Sequence, residues 1–258
     1  NIPFGKYQVV FTLPLQDTLR YDILLNKTLV IQDFTIGETQ EVKEIRVIGN
    51  LVRGQNVPVA ITKIDTNEWL GVEFNDKNYL LTFDDGPIPL VSPWVLDQLN
   101  AHNAKATFFC IGSRVAAYPQ VYQQIIEQGH RVGNHTHQHL HAWRINQADY
   151  LNDVAAAANL IDSNLFRPPY GKLSWQMAKQ IPTVIKEPAQ IVMWDILSGD
   201  FDQRLTVAGC LENCRRFLRP GSIIVLHDSE KAWGRLSVLL PALISLTASA
   251  GYSLKSLP

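Results

Sequence analysis

The segment GNHTHQHLHAW carries histidines at alternate positions, namely His135, His137, His139 and His141. On an extended strand all of these side chains would point to one face, because strand side chains alternate with a period of two. On a helical turn only residues four apart stand side by side, which pairs His135 with His139 or His137 with His141. Two histidines and one carboxylate form a recurring ligand set of hydrolytic metal ions, so either pair could contribute to a metal site.

Further residues capable of acid–base chemistry follow short apolar segments. The motifs TFDDGP, FRPPYG, LSGDF and VLHDS contribute carboxylates, an arginine and another histidine. Asp84 and Asp85 are adjacent, so on an extended backbone their carboxylates diverge, and one could bind a metal while the other faces a metal-bound water. Taken alone, Asp-Gly-Pro is ordinary turn chemistry. The combination of these motifs favours a hydrolytic metal site.

The elements that must position these residues alternate between strands and helices from Tyr79 onward. The predicted strands are YLLTF, KATFFCIG, HRVGN, IVMWDI and GSIIVLHD, and the predicted helices include SPWVLDQLNAHN, YPQVYQQIIEQG, NQADYLNDVAAAANLIDSN and TVAGCLENCRRFLR. This alternation predicts parallel strands buried on both faces. Because the loops after such strands converge on one rim, the polar strand ends are expected to meet there.

The first part of the chain has a different pattern. Up to about Phe74 the segments YQVVFTL, LRYDILL, KTLVIQDFTI, VKEIRVIG and VPVAITKI are rich in β-branched residues and are separated by turn residues. We therefore predict a small β-rich domain of unknown role over residues 1–74 and an α/β domain, barrel-like rather than open, over residues 75–258.

Composition excludes several classes of protein. With 258 residues, 46% of them hydrophobic, the chain can bury a sizeable core. A formal net charge of -1 gives no electrostatic reason to expect nucleic acid or an anionic membrane as a partner. No apolar run is long enough to span a membrane. Since the chain begins at Asn1, we expect that a targeting segment was removed and that the protein is extracytoplasmic or in the cell envelope.

Four of the motifs resemble those of a known family. TFDDGP, HTHQH, RPPYG and VLHD, in this order, resemble the polysaccharide deacetylases of the NodB-homology family, also called carbohydrate esterase family 4. The resemblance covers roughly Tyr79 to Leu254. It implies a distorted, incomplete (β/α) barrel and a metal-dependent hydrolase that removes acetyl groups from a polysaccharide, most often from N-acetylglucosamine units. The alternatives are an O-acetyl xylan esterase and a catalytically weak sugar-binding module.

The resemblance also implies roles for individual residues. The metal ligands would be Asp85, His135 and His139, which is the helical pairing of the histidines and leaves His137 and His141 as bystanders. Zn²⁺ is the expected metal, and Co²⁺ or Ni²⁺ would suit the same ligands. Asp84 would be the catalytic base, and Arg167 would orient it. The backbone amide of Tyr170 would be the oxyanion donor. His227 would be the acid, and Asp200 would be the partner of that acid.

Aromatic residues near these motifs are candidates for contact with the sugar. Phe201 occupies the position at which many family members have a tryptophan, and it still offers a stacking surface. Trp143 and Trp194 are further candidates. The expected partner is an acetylated polysaccharide or oligosaccharide.

Two other hydrolase classes are excluded by spacing. A glycosidase needs two carboxylates roughly 5 to 10 Å apart across a glycosidic bond, which the adjacent Asp84 and Asp85 do not provide. A zinc protease of the HExxH type is excluded because the segment HTHQH contains no glutamate.

Overall fold

The computed structural model describes residues 78–258 in full and the backbone of three strands at residues 5–12, 18–25 and 46–48. The chain divides into two compact units, Asn1–Glu41 and Val42–Pro258. Among the described residues, no helix combines the length and the apolar character that crossing a membrane requires.

The first unit contains an antiparallel pair of strands, β1 (Gly5–Thr12) and β2 (Thr18–Leu25). These strands confirm the prediction for YQVVFTL and LRYDILL. The predicted strands KTLVIQDFTI and VPVAITKI lie outside the described residues. A third strand, β3 (Arg46–Ile48), falls within VKEIRVIG and pairs with the sheet of the second unit. The domain boundary at residue 74 stays a prediction.

The second unit alternates strands and helices, as the apolar pattern predicted. Its remaining strands are β4 (Asn78–Asp84), β5 (Thr107–Cys110), β6 (Arg131–Asn134), β7 (Leu165–Phe166), β8 (Gln190–Val192), β9 (Ile196–Leu197), β10 (Ile223–His227) and β11 (Ser253–Lys255). Its helices are α1 (Val91–Ala101), α2 (Gly112–Ala117), α3 (Pro119–Glu127), α4 (Gln147–Ala158), α5 (Trp175–Gln180), α6 (Val207–Phe217) and α7 (Trp233–Ser249).

Nine of the described strands form one parallel sheet. Their order is β3-β8-β7-β6-β5-β4-β10-β9, and β11 pairs with the start of β4. The first strand of the site, β4, therefore lies beside β10, which follows it by about 140 residues. The terminal strands of this order, β3 and β9, do not pair with each other among the described strands. The fold is a curled, incomplete (β/α) barrel, which confirms the predicted fold class.

The apolar residues of the sheet form cores on both of its faces. Leu81, Phe83, Phe108 and Ile224 belong to the larger cluster, which the helices cover. The neighbouring positions on these strands, Leu80, Phe109 and Val225, belong to a second cluster, to which β7 and β8 add Leu165 and Val192. Burial on both faces explains why these strands appear in the sequence as continuous apolar runs instead of alternating patterns.

Candidate active site

The carboxyl ends of the parallel strands place the predicted site residues around one rim. Asp84 is the last residue of β4 and His227 is the last residue of β10, and these residues are paired in register. His135 directly follows β6, and Arg167 directly follows β7. Loops after parallel strands converge at this end of a barrel.

Asp85, His135 and His139 form a compact group of possible metal ligands. One ligand atom from each residue lies within 4.8 Å of the others. Asp85 Oδ1 lies 3.3 Å from His139 Nε2 and 3.9 Å from His135 Nε2. His135 Nδ1 donates to the backbone oxygen of Arg167 at 2.7 Å, which leaves Nε2 as the nitrogen available to a metal.

The protonation states of His135 and Asp85 suit a divalent cation, which binds neutral imidazole and ionised carboxylate. Burial lowers the pKa of His135 to about 4, so its imidazole is neutral at neutral pH. Burial tends to raise the pKa of Asp85, but the hydrogen bond with His139 and the charge of His227 hold it well below its usual range.

His135 and His139 are brought together by a loop, not by the helical turn that their spacing suggested. The segment between β6 and α4 contains no helical residue around these histidines. Thr136 and His139 have φ values of 64° and 56°, and the ring centroids of His135 and His139 are 5.1 Å apart. His137 and His141 lie outside the ligand group that the described residues form. The structure therefore brings His135 and His139 together, as their spacing predicted, but on a loop and not on the predicted helical turn, and their role as ligands stays a prediction.

Asp84 faces a buried guanidinium group. Arg167 Nη1 donates to Asp84 Oδ1 at 2.7 Å and to Thr82 Oγ1 at 2.8 Å. Arg167 Nε and Nη2 donate to two backbone oxygens at the end of β8. Burial lowers the pKa of Arg167, and the adjacent Asp84 carboxylate opposes that effect. One oxygen of Asp84 is thus fixed by Arg167, while Oδ2 lies 3.9 Å from His135 Nε2.

His227 is paired with Asp200 on the other side of the ligand group. His227 Nδ1 lies 2.7 Å from Asp200 Oδ1, and the backbone N–H of His227 donates to Asp200 Oδ2 at 2.8 Å. Burial lowers the pKa of His227, but the carboxylates of Asp200, Asp85 and Asp84, with Asp200 the largest contributor among them, together raise the pKa to about 9. The carboxylate of Asp228, the next residue along the chain, is hydrogen-bonded to Gly86 and Ser92 instead.

A row of aromatic rings, exposed at Tyr170 and Trp143, extends from the ligand group. Tyr170, which is 57% exposed and has a φ of 60°, lies with its ring 4.7 Å from that of His139 and 5.0 Å from that of His141. The ring of Trp143 follows at 6.2 Å from His141, with Lys172 Nζ 4.5 Å above it. We call His139, Tyr170, His141 and Trp143 the aromatic row.

The other predicted aromatic contacts have different surroundings. Phe201 lies edge-on to His227, with the ring centroids 4.9 Å apart, and thus borders the site. Trp194 is only 9% exposed and belongs to the second apolar cluster of the sheet, which also contains Phe109. A Cβ atom at Gly171 would lie 2.7 Å from Trp194 Cη2, so this indole packs directly beneath the Tyr170 segment. Trp194 supports that segment and offers little surface to a sugar, so its predicted sugar contact is not supported.

Two arginines were missed by the sequence analysis. Arg114 Nη1 donates to the backbone oxygen of Asp85 at 2.9 Å, and Arg235 Nε donates to the backbone oxygen of Asp200 at 2.6 Å. Both belong to helices that the predicted pattern did not include, α2 and α7. No sequence motif indicates either arginine, because each donates to the backbone of a loop that is distant in the sequence.

The chain is similar to known polysaccharide deacetylases in sequence. Residues 71–183 match the family model described as polysaccharide deacetylase. A peptidoglycan-N-acetylglucosamine deacetylase of Bacillus cereus is 31% identical over 184 residues, which cover 69% of this chain and 85% of that protein. A chitooligosaccharide deacetylase of Bradyrhizobium is 34% identical over 159 residues, covering 59% of this chain and 71% of that protein.

Solved structures agree with the sequence matches. The peptidoglycan deacetylase PdaC from Bacillus subtilis superposes with a TM-score of 0.63 at 27% identity, covering 72% of this chain and 90% of that chain. Some relatives are longer: the match spans 58% of a second Bacillus cereus peptidoglycan-N-acetylglucosamine deacetylase and 33% of the Listeria monocytogenes enzyme PgdA.

Proposed function

The chain belongs to the polysaccharide deacetylase family, and from that premise we propose that it is a metal-dependent hydrolase that removes acetyl groups from N-acetylglucosamine units of a polysaccharide. One observation supports this proposal most strongly. Three possible metal ligands, the Asp84 carboxylate hydrogen-bonded to Arg167, and His227 hydrogen-bonded to Asp200 all lie at the same rim of the sheet. An amide is a poor electrophile with a poor leaving group, so its hydrolysis needs these separate functions.

Asp85, His135 and His139 would hold the metal. Two imidazoles and one carboxylate are ligands typical of hydrolytic Zn²⁺ sites, and Co²⁺ or Ni²⁺ would satisfy the same donors. When bound, the ion would polarise the acetyl carbonyl and lower the pKa of a water molecule. From the resemblance to the family, the backbone amide of Tyr170 would donate a hydrogen bond to the oxyanion of the tetrahedral intermediate.

Asp84 would act as the general base. Its Oδ1 is engaged by Arg167, so Oδ2, on the side of His135, is the oxygen left to accept a proton from the attacking water. The buried arginine keeps the Asp84 carboxylate in one orientation. A general base transfers a proton efficiently only when it is held within hydrogen-bonding distance of that proton.

His227 would act as the general acid. Nδ1 is hydrogen-bonded to Asp200, so Nε2 is the atom that can protonate the departing amine nitrogen. With a pKa of about 9, the imidazole is protonated at neutral pH and carries the proton that the leaving group needs.

The substrate would be a chain of sugars. The aromatic row beside His139 and the ring of Phe201 beside His227 offer flat surfaces of the kind that mark ligand-binding grooves. The names of the relatives favour N-acetylglucosamine in peptidoglycan or in chitin oligomers. A cell-wall glycan as substrate accords with the extracytoplasmic location expected from the sequence, which stays a prediction.

A panel of acetylated glycans tests the substrate class. Purified protein loaded with Zn²⁺ is incubated with chitin oligomers, peptidoglycan fragments and O-acetylated xylan, and released acetate is quantified. We expect acetate from the first two and little from xylan. Acetate from xylan alone would make the protein an O-acetyl esterase, and acetate from none of them would favour a catalytically weak sugar-binding module.

A further inference from the structure

The candidate metal ligands are carried by two loops with unusual backbone conformations. We call residues 84–88 the Asp85 turn and residues 135–139 the histidine loop. Asp85 and His139 have φ values of 85° and 56°, in the left-handed region that side chains disfavour. Such conformations persist only where the surroundings hold them in place.

The Asp85 turn is held by the buried carboxylate of Asp228. The backbone N–H of Gly86 donates to Asp228 Oδ1 at 3.0 Å, and Ser92 Oγ donates to Oδ2 at 2.5 Å. Ser92 Oγ in turn accepts the backbone N–H of Ile88 at 2.8 Å. A Cβ atom at Gly86 would lie 2.0 Å from Asp228 Oδ2, so the carboxylate packs directly against the backbone that follows Asp85.

The histidine loop is held by the buried carboxylate of Asp153, which projects from α4. Asp153 Oδ2 accepts the backbone N–H groups of His137 and Gln138, both at 3.0 Å, and Oδ1 lies 3.2 Å from that of Gln138. These amides lie between the two histidine ligands. The hydroxyl of Thr136 has no hydrogen-bond partner among the described residues, so it does not fix the loop.

Neither carboxylate belongs to the ligand group found among the described residues. Both are buried, and burying a carboxylate is unfavourable unless its oxygens are hydrogen-bonded. Their oxygens are hydrogen-bonded to the two ligand loops and to Ser92, which itself holds the Asp85 turn. Packing alone would not require a hydrogen-bonding residue at either position.

We propose that Asp153 and Asp228 are positioning residues that fix the two ligand loops in the conformation that binds the metal. This role rests on the proposed metal site at Asp85, His135 and His139. Residues that orient metal ligands typically contribute about 10- to 100-fold to metal affinity.

Zinc affinity of the metal-free protein tests this role without reference to activity. Wild type, Asp153→Asn and Asp228→Asn are titrated with Zn²⁺ against a chromophoric chelator, well below the melting temperature of each protein. Each substitution keeps the size of the side chain and removes an acceptor oxygen. We expect the dissociation constant for Zn²⁺ to rise roughly 10- to 100-fold in both variants.

Asp195→Asn is the matched control. Asp195 is also buried, and its Oδ2 accepts the backbone N–H of Ile223 at 3.0 Å, in a strand that carries no ligand. This variant should lose stability but keep its zinc affinity. Equal loss of affinity in all three variants, or wild-type affinity in the first two, would contradict the positioning role.

Two further outcomes are decisive. If Asp228→Asn does not fold, Ser92→Ala tests the Asp85 turn, because it removes a donor to Asp228 and leaves the carboxylate in place; severalfold weaker zinc binding supports the role of Asp228, and unchanged binding overturns it. A wild-type protein that binds no zinc would overturn the proposed metal site itself, and the positioning role with it.

Discussion

Asp84 and Asp85 are neighbours in the chain, yet their carboxylates have different surroundings. Asp84 ends a strand, is 4% exposed and is fixed by Arg167. Asp85 turns into the left-handed region and faces His139. Because one carboxylate is held by a guanidinium and the other by imidazoles, the two residues suit different tasks, a base and a metal ligand.

Asp84→Asn should separate these tasks. Asparagine keeps the shape of the side chain but cannot accept a proton, so acetate release should fall by about 100- to 10,000-fold. The metal content, measured by plasma mass spectrometry, should stay at the wild-type ratio, whereas Asp85→Asn should reduce it. Loss of metal from Asp84→Asn with only half of the activity lost would mean that the two roles are exchanged.

The pairing of His227 with Asp200 predicts a shift in pH dependence. The acid must be protonated, so activity should fall as pH rises through the His227 pKa of about 9. Asp200→Asn removes the charge that favours the imidazolium, while burial still lowers the pKa. The falling limb of the pH–rate profile at saturating zinc should therefore move to lower pH.

Asp228→Asn is the control for this shift. The Asp228 carboxylate is hydrogen-bonded to Gly86 and Ser92, so its removal should move the limb less than Asp200→Asn does. A limb unmoved by Asp200→Asn, or a larger shift for Asp228→Asn, would show that the acid has a different partner.

At the scale of elements, the loops after the strands decide what the site can bind. The aromatic row combines residues from two of these loops, and its outer member, Trp143, is 49% exposed. A sugar chain lying on the row would cover Tyr170 and Trp143 together. The row should therefore matter more for long substrates than for short ones.

Trp143→Ala should lower kcat/KM about tenfold on long chitin oligomers, which corresponds to the loss of about 1.4 kcal/mol of contact, and should change it little on the shortest substrate. Phe217→Ala is the matched control. Phe217 is 40% exposed and has a guanidinium 5.5 Å from its ring, but it ends α6, away from the rim. An equal loss on all chain lengths, or none, would contradict a substrate contact at Trp143.

The elements that were predicted from the sequence are those with a continuous apolar pattern. Strands β4, β5, β6 and β10 and helices α1, α3, α4 and α6 were all anticipated. IVMWDI was predicted as one strand but forms two, β8 and β9, which separate at Trp194. The long helix α7 was not anticipated, and it contains Pro241, a residue that usually ends a helix.

The candidate site was predictable only in part, for a physical reason. The spacing of the histidines indicated a pair, and adjacency of the two aspartates indicated divergent carboxylates. The contact between Asp84 and Arg167, and the position of His227 beside Asp84, join residues far apart in the chain. No local pattern encodes such contacts, so these assignments depended on the resemblance to a family.

At the scale of the whole molecule, the sheet order assembles the site. Because β10 lies against β4, the last motif of the chain meets the first, and the proposed acid and the proposed base come from two adjacent strands. Arg167 joins this arrangement from β7, with its guanidinium 4.0 Å from the ring of Phe109 on β5. The site is therefore a property of the folded sheet and not of any single segment.

The most direct test of the proposed activity is acetate release from an N-acetylglucosamine oligomer before and after metal removal. Wild-type protein is assayed as loaded with Zn²⁺, after dialysis against a chelator, and after Zn²⁺ is restored, with the metal content measured each time. We expect acetate release from the loaded protein, its loss with the metal and its recovery with Zn²⁺. Undiminished release from protein shown to be free of metal, or no release from fully loaded protein, would contradict a metal-dependent deacetylase.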